Sequence, residues 1–245
     1  MHETADTTVG ELVAADFRIA GVFNALGINF CCDGRRTVAE ACRQRCLDTD
    51  IVMQAIEQAC AQPGSSPHFD GWKPETLIGF IVVSHHGYVR RVIPSLLANV
   101  RKVAAMHGGR HPELHEVAQL TETLAVDLLS HMATEERVLF PYIADVATDV
   151  RHGRPARPAP FGSIENPLRM MEDEHQSAGT CMTRIRELTS GFALPEDGCA
   201  TYRVCLEELR AFEEDLHAHV HLENNVLFRK ARALAATNRP GSSEP

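Results

Sequence analysis

The chain has 245 residues, of which 44% are hydrophobic, 23% are charged and 13 are histidine. These values exclude collagen-like, low-complexity and wholly disordered proteins, and the length is sufficient for one large domain or two smaller ones. The formal net charge of −9 argues against a nucleic-acid partner or an anionic membrane surface, because binding to phosphates requires a basic face.

Three short helices are predicted near the N-terminus. Two capping-box patterns, Thr8-x-x-Glu11 and Thr37-x-x-Glu40, each open one of them. After the first box, apolar residues recur at helical spacing until Gly27, which supplies a stop, so a single helix is expected there. The second helix ends near Cys46, and the third is expected over Thr49–Ala61.

The helical pattern then changes to longer stretches. Residues 63–74 are rich in Pro, Gly and Ser, which is typical of a linker between domains. Four long helical stretches follow, at 74–106, 112–147, 167–190 and 196–236. The sequence therefore predicts an all-α protein with a small helical domain over 1–62 and an antiparallel four-helix bundle over 75–236, followed by a disordered tail over 237–245.

Neither an export signal nor a membrane span is expected. Residues 1–10 lack the basic-then-apolar layout of a secretory signal, and the longest apolar run, residues 77–83, is too short to cross a bilayer. Eight cysteines without an export signal point to the reducing cytosol and to free thiols. We therefore expect a cytoplasmic protein with no membrane partner.

Two of the long helices carry nearly the same motif. The pattern Asp-Leu-x-x-His-x-x-x-Glu-x-x-Val-Leu-Phe occupies residues 127–140 and recurs 88 residues later, at 215–228. It supplies two pairs of candidate metal ligands, His131 with Glu135 and His219 with Glu223. Residues four apart lie on one face of a helix, so each pair can reach a single ion. Leucines close to that face place both pairs inside the bundle, where a metal cation offsets the cost of burying a carboxylate.

The other two long helices supply one histidine each at a matching distance. His86 lies 45 residues before His131, and His175 lies 44 residues before His219. The spacing favours His86, with the adjacent His85 as the alternative. Four imidazoles and two carboxylates suit a dinuclear centre in which each metal takes two histidines and both glutamates bridge. Such ligands with an open position on each metal favour iron over zinc or magnesium.

Three acidic residues are candidates for orienting the imidazoles. Asp127 and Asp215 each precede a histidine of the repeat by four residues, and Glu174 adjoins the histidine of the third long helix. For both aspartates, an exposed position on the helix is an equally good interpretation. His221 lies roughly 200° around the helix from His219 and is expected to be exposed.

These motifs resemble a known family. The segment 26–42 contains the cysteine pair Cys31–Cys32 and resembles the small N-terminal domain of the repair-of-iron-centres (RIC) di-iron proteins, the YtfE/ScdA-like group of the hemerythrin-like superfamily. The bundle motifs that match are His86 eight residues before Pro94, His131-Met-Ala-Thr-Glu135, Glu174-His175 and His219-x-x-x-Glu223-Asn-Asn-Val-Leu-Phe228. The resemblance covers nearly the whole chain, and the combination of two domains is more specific than either domain alone.

The resemblance implies a set of roles. His86, His131, His175 and His219 would be terminal ligands, with Glu135 and Glu223 bridging two non-haem irons that share an oxo bridge when oxidised. Cys31 and Cys32 would be redox or docking thiols. The implied function is repair of iron–sulfur clusters damaged by nitrosative or oxidative stress, through iron donation or nitric oxide reduction. The implied partners are damaged iron–sulfur proteins and the diatomics NO and O2.

Two other functions stay open at this point. The first is a di-iron nitric oxide reductase that acts as an enzyme in its own right. The second is a hemerythrin-like sensor or store of O2, NO or iron without turnover. The chain is expected to be a monomer or a homodimer.

Overall fold

A computed structural model describes residues 5–61, 68–154 and 157–236 of the chain. Throughout these ranges the regular structure is helical, and extended backbone pairs at an isolated bridge between Thr8 and Thr37. The predicted all-α class is therefore confirmed. Of the predicted linker, residues 63–67 lie outside the described residues, and so does the tail predicted over 237–245.

The N-terminal segment contains short helices that begin at well-formed caps. They are α1 (Val9–Ala15), α2 (Ile19–Ala25), α3 (Val38–Arg45) and α4 (Thr49–Ala61). Both predicted capping boxes are present: the Thr8 hydroxyl accepts from the Glu11 amide and the Thr37 hydroxyl from the Glu40 amide, each at 3.2 Å. Local sequence therefore sets where α1 and α3 begin, because each box satisfies amides that the helix leaves without a partner.

The prediction of one continuous helix from Thr8 to Gly27 was wrong. The chain leaves the helix at Asp16, whose backbone is extended (φ −146°, ψ 105°). The Asp16 carboxylate accepts from the Arg18 backbone amide at 3.0 Å and from Arg18 Nε at 2.9 Å. Aspartate side chains that bind nearby amides compete with the helical hydrogen-bond ladder, and here that competition ends α1.

We expect Thr37→Ala to lower the free energy of unfolding by about 1 kcal/mol, because the Glu40 amide at the start of α3 loses its acceptor. Urea denaturation followed by circular dichroism measures this change. Thr123→Ala is the matched control, since the exposed Thr123 hydroxyl donates to the Gln119 carbonyl within a helix, where alanine is favourable. An equal loss of stability in both variants would contradict the capping argument.

The longer helical stretches predicted beyond the linker are present, with ends shifted by a few residues. After a 3-10 turn at Phe69–Gly71, the helices are α5 (Pro74–Phe80), α6 (Gly87–His107), α7 (Glu113–Thr134), α8 (Phe140–Arg151), α9 (Glu165–Leu188), α10 (Ala200–His221) and α11 (Phe228–Ala236). Three π-helical turns connect α5 to α6, α7 to α8 and α10 to α11; they span Ile81–His86, Glu135–Leu139 and Leu222–Leu227. Within the described ranges, no helix combines the length and apolar character needed to cross a membrane.

The chain divides into two compact units, each assembled from segments that are distant in sequence. The first comprises Met1–Gly79, Pro141–Arg169 and His217–Pro245. Its buried core includes Val13, Phe23, Phe30, Val38, Ile143 and Phe228. The second comprises Phe80–Phe140 and Met170–Leu216. Its buried core includes Leu96, Val100, Leu124, Leu128, Met182 and Leu209.

Candidate metal centre

The six predicted ligands are all buried, and both carboxylates are completely so. They are His86, His131, Glu135, His175, His219 and Glu223, with exposed fractions of 5% or less. Three of them lie in π-helical turns: His86 ends the first turn, Glu135 begins the second and Glu223 lies in the third. An inserted π turn changes the direction of the side chains that follow, and such turns are frequent at functional sites.

The ligand atoms of these residues form two groups of four. The first group is His86, Glu135, His219 and Glu223, and the second is His131, Glu135, His175 and Glu223. Within each group, the ligand atoms all lie within 4.8 Å of one another. Both glutamates belong to both groups, whereas each histidine belongs to one. Two metal ions held by these groups would therefore share both carboxylates.

The distances between side chains show how closely these atoms converge. Glu135 Oε2 lies 3.5 Å from His86 Nε2 and 3.4 Å from His131 Nε2. The Nε2 atoms of His131 and His175 are 2.9 Å apart. On α10 and the turn that follows it, His219 Nε2 lies 2.9 Å from Glu223 Oε1. Buried carboxylates surrounded by imidazole nitrogens fit a bound cation, because its charge offsets the cost of burying the anions.

The donor set also fits iron. It consists of imidazole nitrogens and carboxylate oxygens without a thiolate, which suits a non-haem iron site and not an iron–sulfur cluster. Each group would supply four protein ligands to a metal, which would leave positions open on an ion that prefers six.

Two of the imidazoles are oriented by carboxylates outside the ligand groups. His86 Nδ1 donates to Glu136 Oε1 at 2.6 Å, and His131 Nδ1 donates to Glu174 Oε2 at 2.5 Å. Arg90 Nη2 donates to the same Glu136 oxygen at 2.7 Å. Burial alone would raise the pKa of Glu136, but hydrogen bonds from His86 and Arg90 outweigh it and lower this pKa. The Glu136 carboxylate therefore stays ionised. With the proton held at Nδ1, each ring presents Nε2 as a ligand.

Sequence reasoning missed Glu136. The signal available was its position directly after Glu135 in the repeated motif, which did not indicate its partner. That partner, His86, lies 50 residues earlier in the chain. The pairing depends on packing between helices, which the repeat does not encode.

The three acidic residues predicted to orient imidazoles lie in different environments. Glu174 accepts from His131 Nδ1, although its neighbour in sequence is His175. Asp215 Oδ1 accepts from His85 Nδ1 at 2.8 Å, so it contacts the histidine considered as the alternative to His86. Asp127 is exposed, and across the described residues its side chain shows no hydrogen bond to His131. His85 belongs to neither ligand group.

The expectation that His221 is exposed was wrong, since the side chain is fully buried. The ring lies 5.6 Å from the ring of Phe30 and 6.2 Å from that of Phe17, measured between centroids. Its Nδ1 accepts from Asn225 Nδ2 at 3.2 Å. Burial lowers the pKa of His221 to about 3, so the ring is neutral at neutral pH. The helix geometry correctly turns His221 away from His219, but the N-terminal segment covers the face on which it lies.

The cysteine pair lies against the turn that carries Glu223. Cys31 is buried and Cys32 is half-buried, with their Sγ atoms 3.7 Å apart. The Cys31 carbonyl accepts from Asn225 Nδ2 at 3.1 Å and from Asn224 Nδ2 at 3.4 Å. The pair therefore contacts the two residues that directly follow a candidate metal ligand.

We expect Glu136→Ala and Glu174→Ala each to weaken iron binding by roughly 10- to 100-fold, because the imidazole loses the carboxylate that fixes its orientation and tautomer. Competition between the protein and a ferrous chelator under anaerobic conditions measures the change. Asp127→Ala is the control, because this carboxylate is exposed and, among the described residues, makes no hydrogen bond to His131. A comparable loss of affinity in Asp127→Ala, or an unchanged affinity in both glutamate variants, would contradict the assignment.

Comparison with known proteins identifies relatives along nearly the whole chain. The hemerythrin HHE cation binding domain matches residues 79–231, and the ScdA_N domain, a domain of unknown function (DUF542), matches residues 5–60. The iron-sulfur cluster repair protein YtfE of Pectobacterium atrosepticum is 32% identical over 92% of this chain and 96% of its own length. The iron-sulfur cluster repair protein ScdA of Staphylococcus haemolyticus is 29% identical over 93% of this chain and 98% of its own length. The chain therefore belongs to the hemerythrin HHE cation-binding family, in the group that also carries an ScdA_N domain and includes YtfE and ScdA.

Proposed function

We propose that this chain holds two non-haem irons in the His/Glu cluster and repairs iron–sulfur clusters damaged by nitrosative or oxidative stress in the cytoplasm. The observation that carries the proposal is the pair of ligand groups that share Glu135 and Glu223. The names of the relatives, which are iron-sulfur cluster repair proteins, support the repair role. The proposal includes the division into an N-terminal domain over 1–62 and a bundle over 75–236.

The residues at this centre would have two roles, binding the ions and orienting the histidines. Glu135 and Glu223 would hold both ions, while His86 and His219 would complete one site and His131 and His175 the other. Glu136 and Glu174 keep a proton on Nδ1 of their histidines and so keep Nε2 available as a ligand. A bound ferrous pair supplies electrons and exchangeable coordination positions to small ligands.

Apolar packing protects the site from water. The Phe140 ring stacks on the His86 imidazole with a centroid distance of 5.7 Å and an interplanar angle of 19°. Met132 directly follows His131, Leu139 lies four residues after Glu135, and both side chains are buried. A dry surrounding strengthens the attraction between the carboxylates and a cation and limits exchange with bulk water.

Iron donation and nitric oxide reduction are the two routes by which such a centre would repair a damaged cluster. Both require the same ligand set, since open positions allow a diatomic to bind and also allow an ion to leave. The clients would be damaged iron–sulfur proteins, with NO and O2 as small partners. We propose a monomer or a homodimer as the working form.

The test separates these routes from a sensor or store. Iron-loaded, reduced protein is mixed anaerobically with nitric oxide, and separately with an apo-protein that requires an iron–sulfur cluster. Catalytic formation of nitrous oxide supports the reductase route, and transfer of iron with recovery of the cluster supports donation. A stable nitrosyl without turnover, together with no iron transfer, would contradict repair and favour the sensor or store. The control is iron-loaded Asp127→Ala protein, because this substitution leaves both ligand groups intact.

A further inference from the structure

The helical segment that carries His219 and Glu223 has a second face, which packs against the N-terminal residues. His217 Nδ1 lies 2.8 Å from Asn24 Oδ1, and the His221 ring packs against Phe30. Residues 217, 221 and 225 are spaced by four, so they form one stripe along the helix. On these turns, the candidate ligands His219 and Glu223 therefore alternate with residues 217, 221 and 225, which contact the N-terminal residues.

Asn225 provides the tightest of these contacts. Its buried amide donates from Nδ2 to the carbonyls of Phe30 and Cys31, at 3.1 Å each. The space for this amide exists because two neighbours are glycine. A Cβ on Gly10 would lie 2.8 Å from Asn225 Oδ1, and a Cβ on Gly34 would overlap the same amide. Asn225 therefore holds the Cys31 carbonyl in a fixed position relative to the turn that contains Glu223.

The neighbouring residue Asn224 also contacts the cysteine pair, and the internal repeat shows a different contact at the equivalent position of its first half. Asn224 occupies the position that Glu136 occupies 88 residues earlier. Glu136 orients the imidazole of His86, whereas Asn224 donates to the carbonyl of Cys31 at 3.4 Å. Equivalent positions thus support a metal ligand in one half of the repeat and the cysteine pair in the other.

The two thiols are placed to react with each other. Their Sγ atoms are in hydrogen-bond contact at 3.7 Å, and Asn29 Oδ1 accepts from both Cys31 Sγ and the Cys32 amide, at 3.2 Å and 3.0 Å. The hydrogen bond with Cys32, together with burial, raises the pKa of the Cys31 thiol well above its ordinary value, so Cys31 is a poor first nucleophile toward a dissolved oxidant. Cys32 is the more accessible sulfur, so it meets a dissolved oxidant first.

We infer that the thiols of Cys31 and Cys32 close to a vicinal disulfide, and that Asn224 and Asn225 couple this closure to the turn carrying Glu223. The oxidant is a small disulfide such as oxidised glutathione. The Cys32 thiolate attacks one glutathione sulfur, so a mixed disulfide forms and the first glutathione thiol leaves. The Cys31 sulfur then attacks Cys32 Sγ, and the second glutathione thiol leaves. The protein loses two hydrogens and two electrons, and the glutathione disulfide gains them.

The geometry makes such a disulfide easily reversible. Adjacent Cα atoms are about 3.8 Å apart across a trans peptide, whereas disulfide-linked residues usually have Cα atoms about 4.4–6.8 Å apart. The resulting strain favours reduction, as in labile regulatory disulfides. The ring of atoms that this disulfide would close also includes the peptide bond between Cys31 and Cys32. The carbonyl of that peptide accepts from Asn224 and Asn225. Closure must rotate this peptide and disturb both hydrogen bonds.

The first experiment tests the disulfide itself. Full-length, iron-loaded protein is equilibrated in buffers of varied reduced-to-oxidised glutathione ratio, quenched with an alkylating agent and mapped by mass spectrometry. The peptide with Cys31 and Cys32 is expected to lose the mass of two hydrogens. Cys31→Ser removes the resolving thiol, so Cys32 is expected to retain one glutathione. A stable glutathione adduct on Cys32 of the unmodified protein, or alkylation of both thiols across the whole range, would overturn the inference.

The second experiment tests the coupling. Asn225→Ala removes a hydrogen bond that holds the reduced geometry, so the equilibrium is expected to shift about fivefold toward the disulfide. Asn24→Ala is the matched control, because it removes a contact between the same segments without touching the Cys31 carbonyl. Asn224→Ala, which makes the longer bond to that carbonyl, replaces Asn225→Ala if the latter does not fold. An unshifted equilibrium, or an equal shift in Asn24→Ala, would overturn the coupling.

Discussion

Replacing Glu135 with alanine is expected to reduce the iron content from the proposed two ions per chain, one for each ligand group, to less than one. The reason is that Glu135 contributes to both groups, so its loss removes a ligand from each site. Glu223→Ala is expected to have the same effect, since Glu223 is the other shared carboxylate. Metal analysis after anaerobic reconstitution with ferrous iron measures the content directly.

A terminal ligand provides the comparison for this prediction. His175 belongs to the second group alone, so His175→Ala is expected to keep about one ion per chain. Glu122→Ala, which removes a carboxylate paired with Arg101 on the surface, is expected to keep both ions. One iron in the unmodified protein, or zinc at full occupancy, would contradict the dinuclear assignment. Equal losses in Glu135→Ala and His175→Ala would contradict the bridging role.

Gly34→Ala is expected to destabilise the protein by about 1–3 kcal/mol, the usual cost of overfilling a packed site. The added Cβ would overlap the amide of Asn225. That amide has little freedom to move, because its Nδ2 is held by the carbonyls of Phe30 and Cys31. The side chain would have to give up these bonds, and the segment with the cysteine pair would lose its attachment to the turn carrying Glu223.

The control for this variant is another glycine of the N-terminal segment. Gly21 lies within α2 and is exposed, and a Cβ there would meet nothing within 4 Å. Gly21→Ala is therefore expected to stabilise the protein by about 0.5–1 kcal/mol, because alanine loses less conformational entropy in a helix. Thermal and urea unfolding of both variants measure the difference. A Gly34→Ala protein as stable as Gly21→Ala would show that the amide is not confined as described.

The sequence by itself determined the helical class, the start of α1 and α3, and the six residues that the structure brings together as ligand groups. These features have local causes. A capping box acts within a single turn, and the pairs His131–Glu135 and His219–Glu223 are set by the helical repeat. The repetition after 88 residues then related distant parts of the chain without any knowledge of their packing.

The tertiary structure decided the features that depend on neighbours from other elements. Glu136 reaches His86 across helices, and Glu174 reaches His131 in preference to the histidine beside it. His221 is buried because the N-terminal residues cover its face, although its helical position alone predicted exposure. Periodicity specifies on which side of a helix a residue lies, but burial and hydrogen bonding depend on what packs against that side. For this protein, the repeat therefore identifies the candidate ligands, whereas only packing identifies the residues that orient them and attach the cysteine pair.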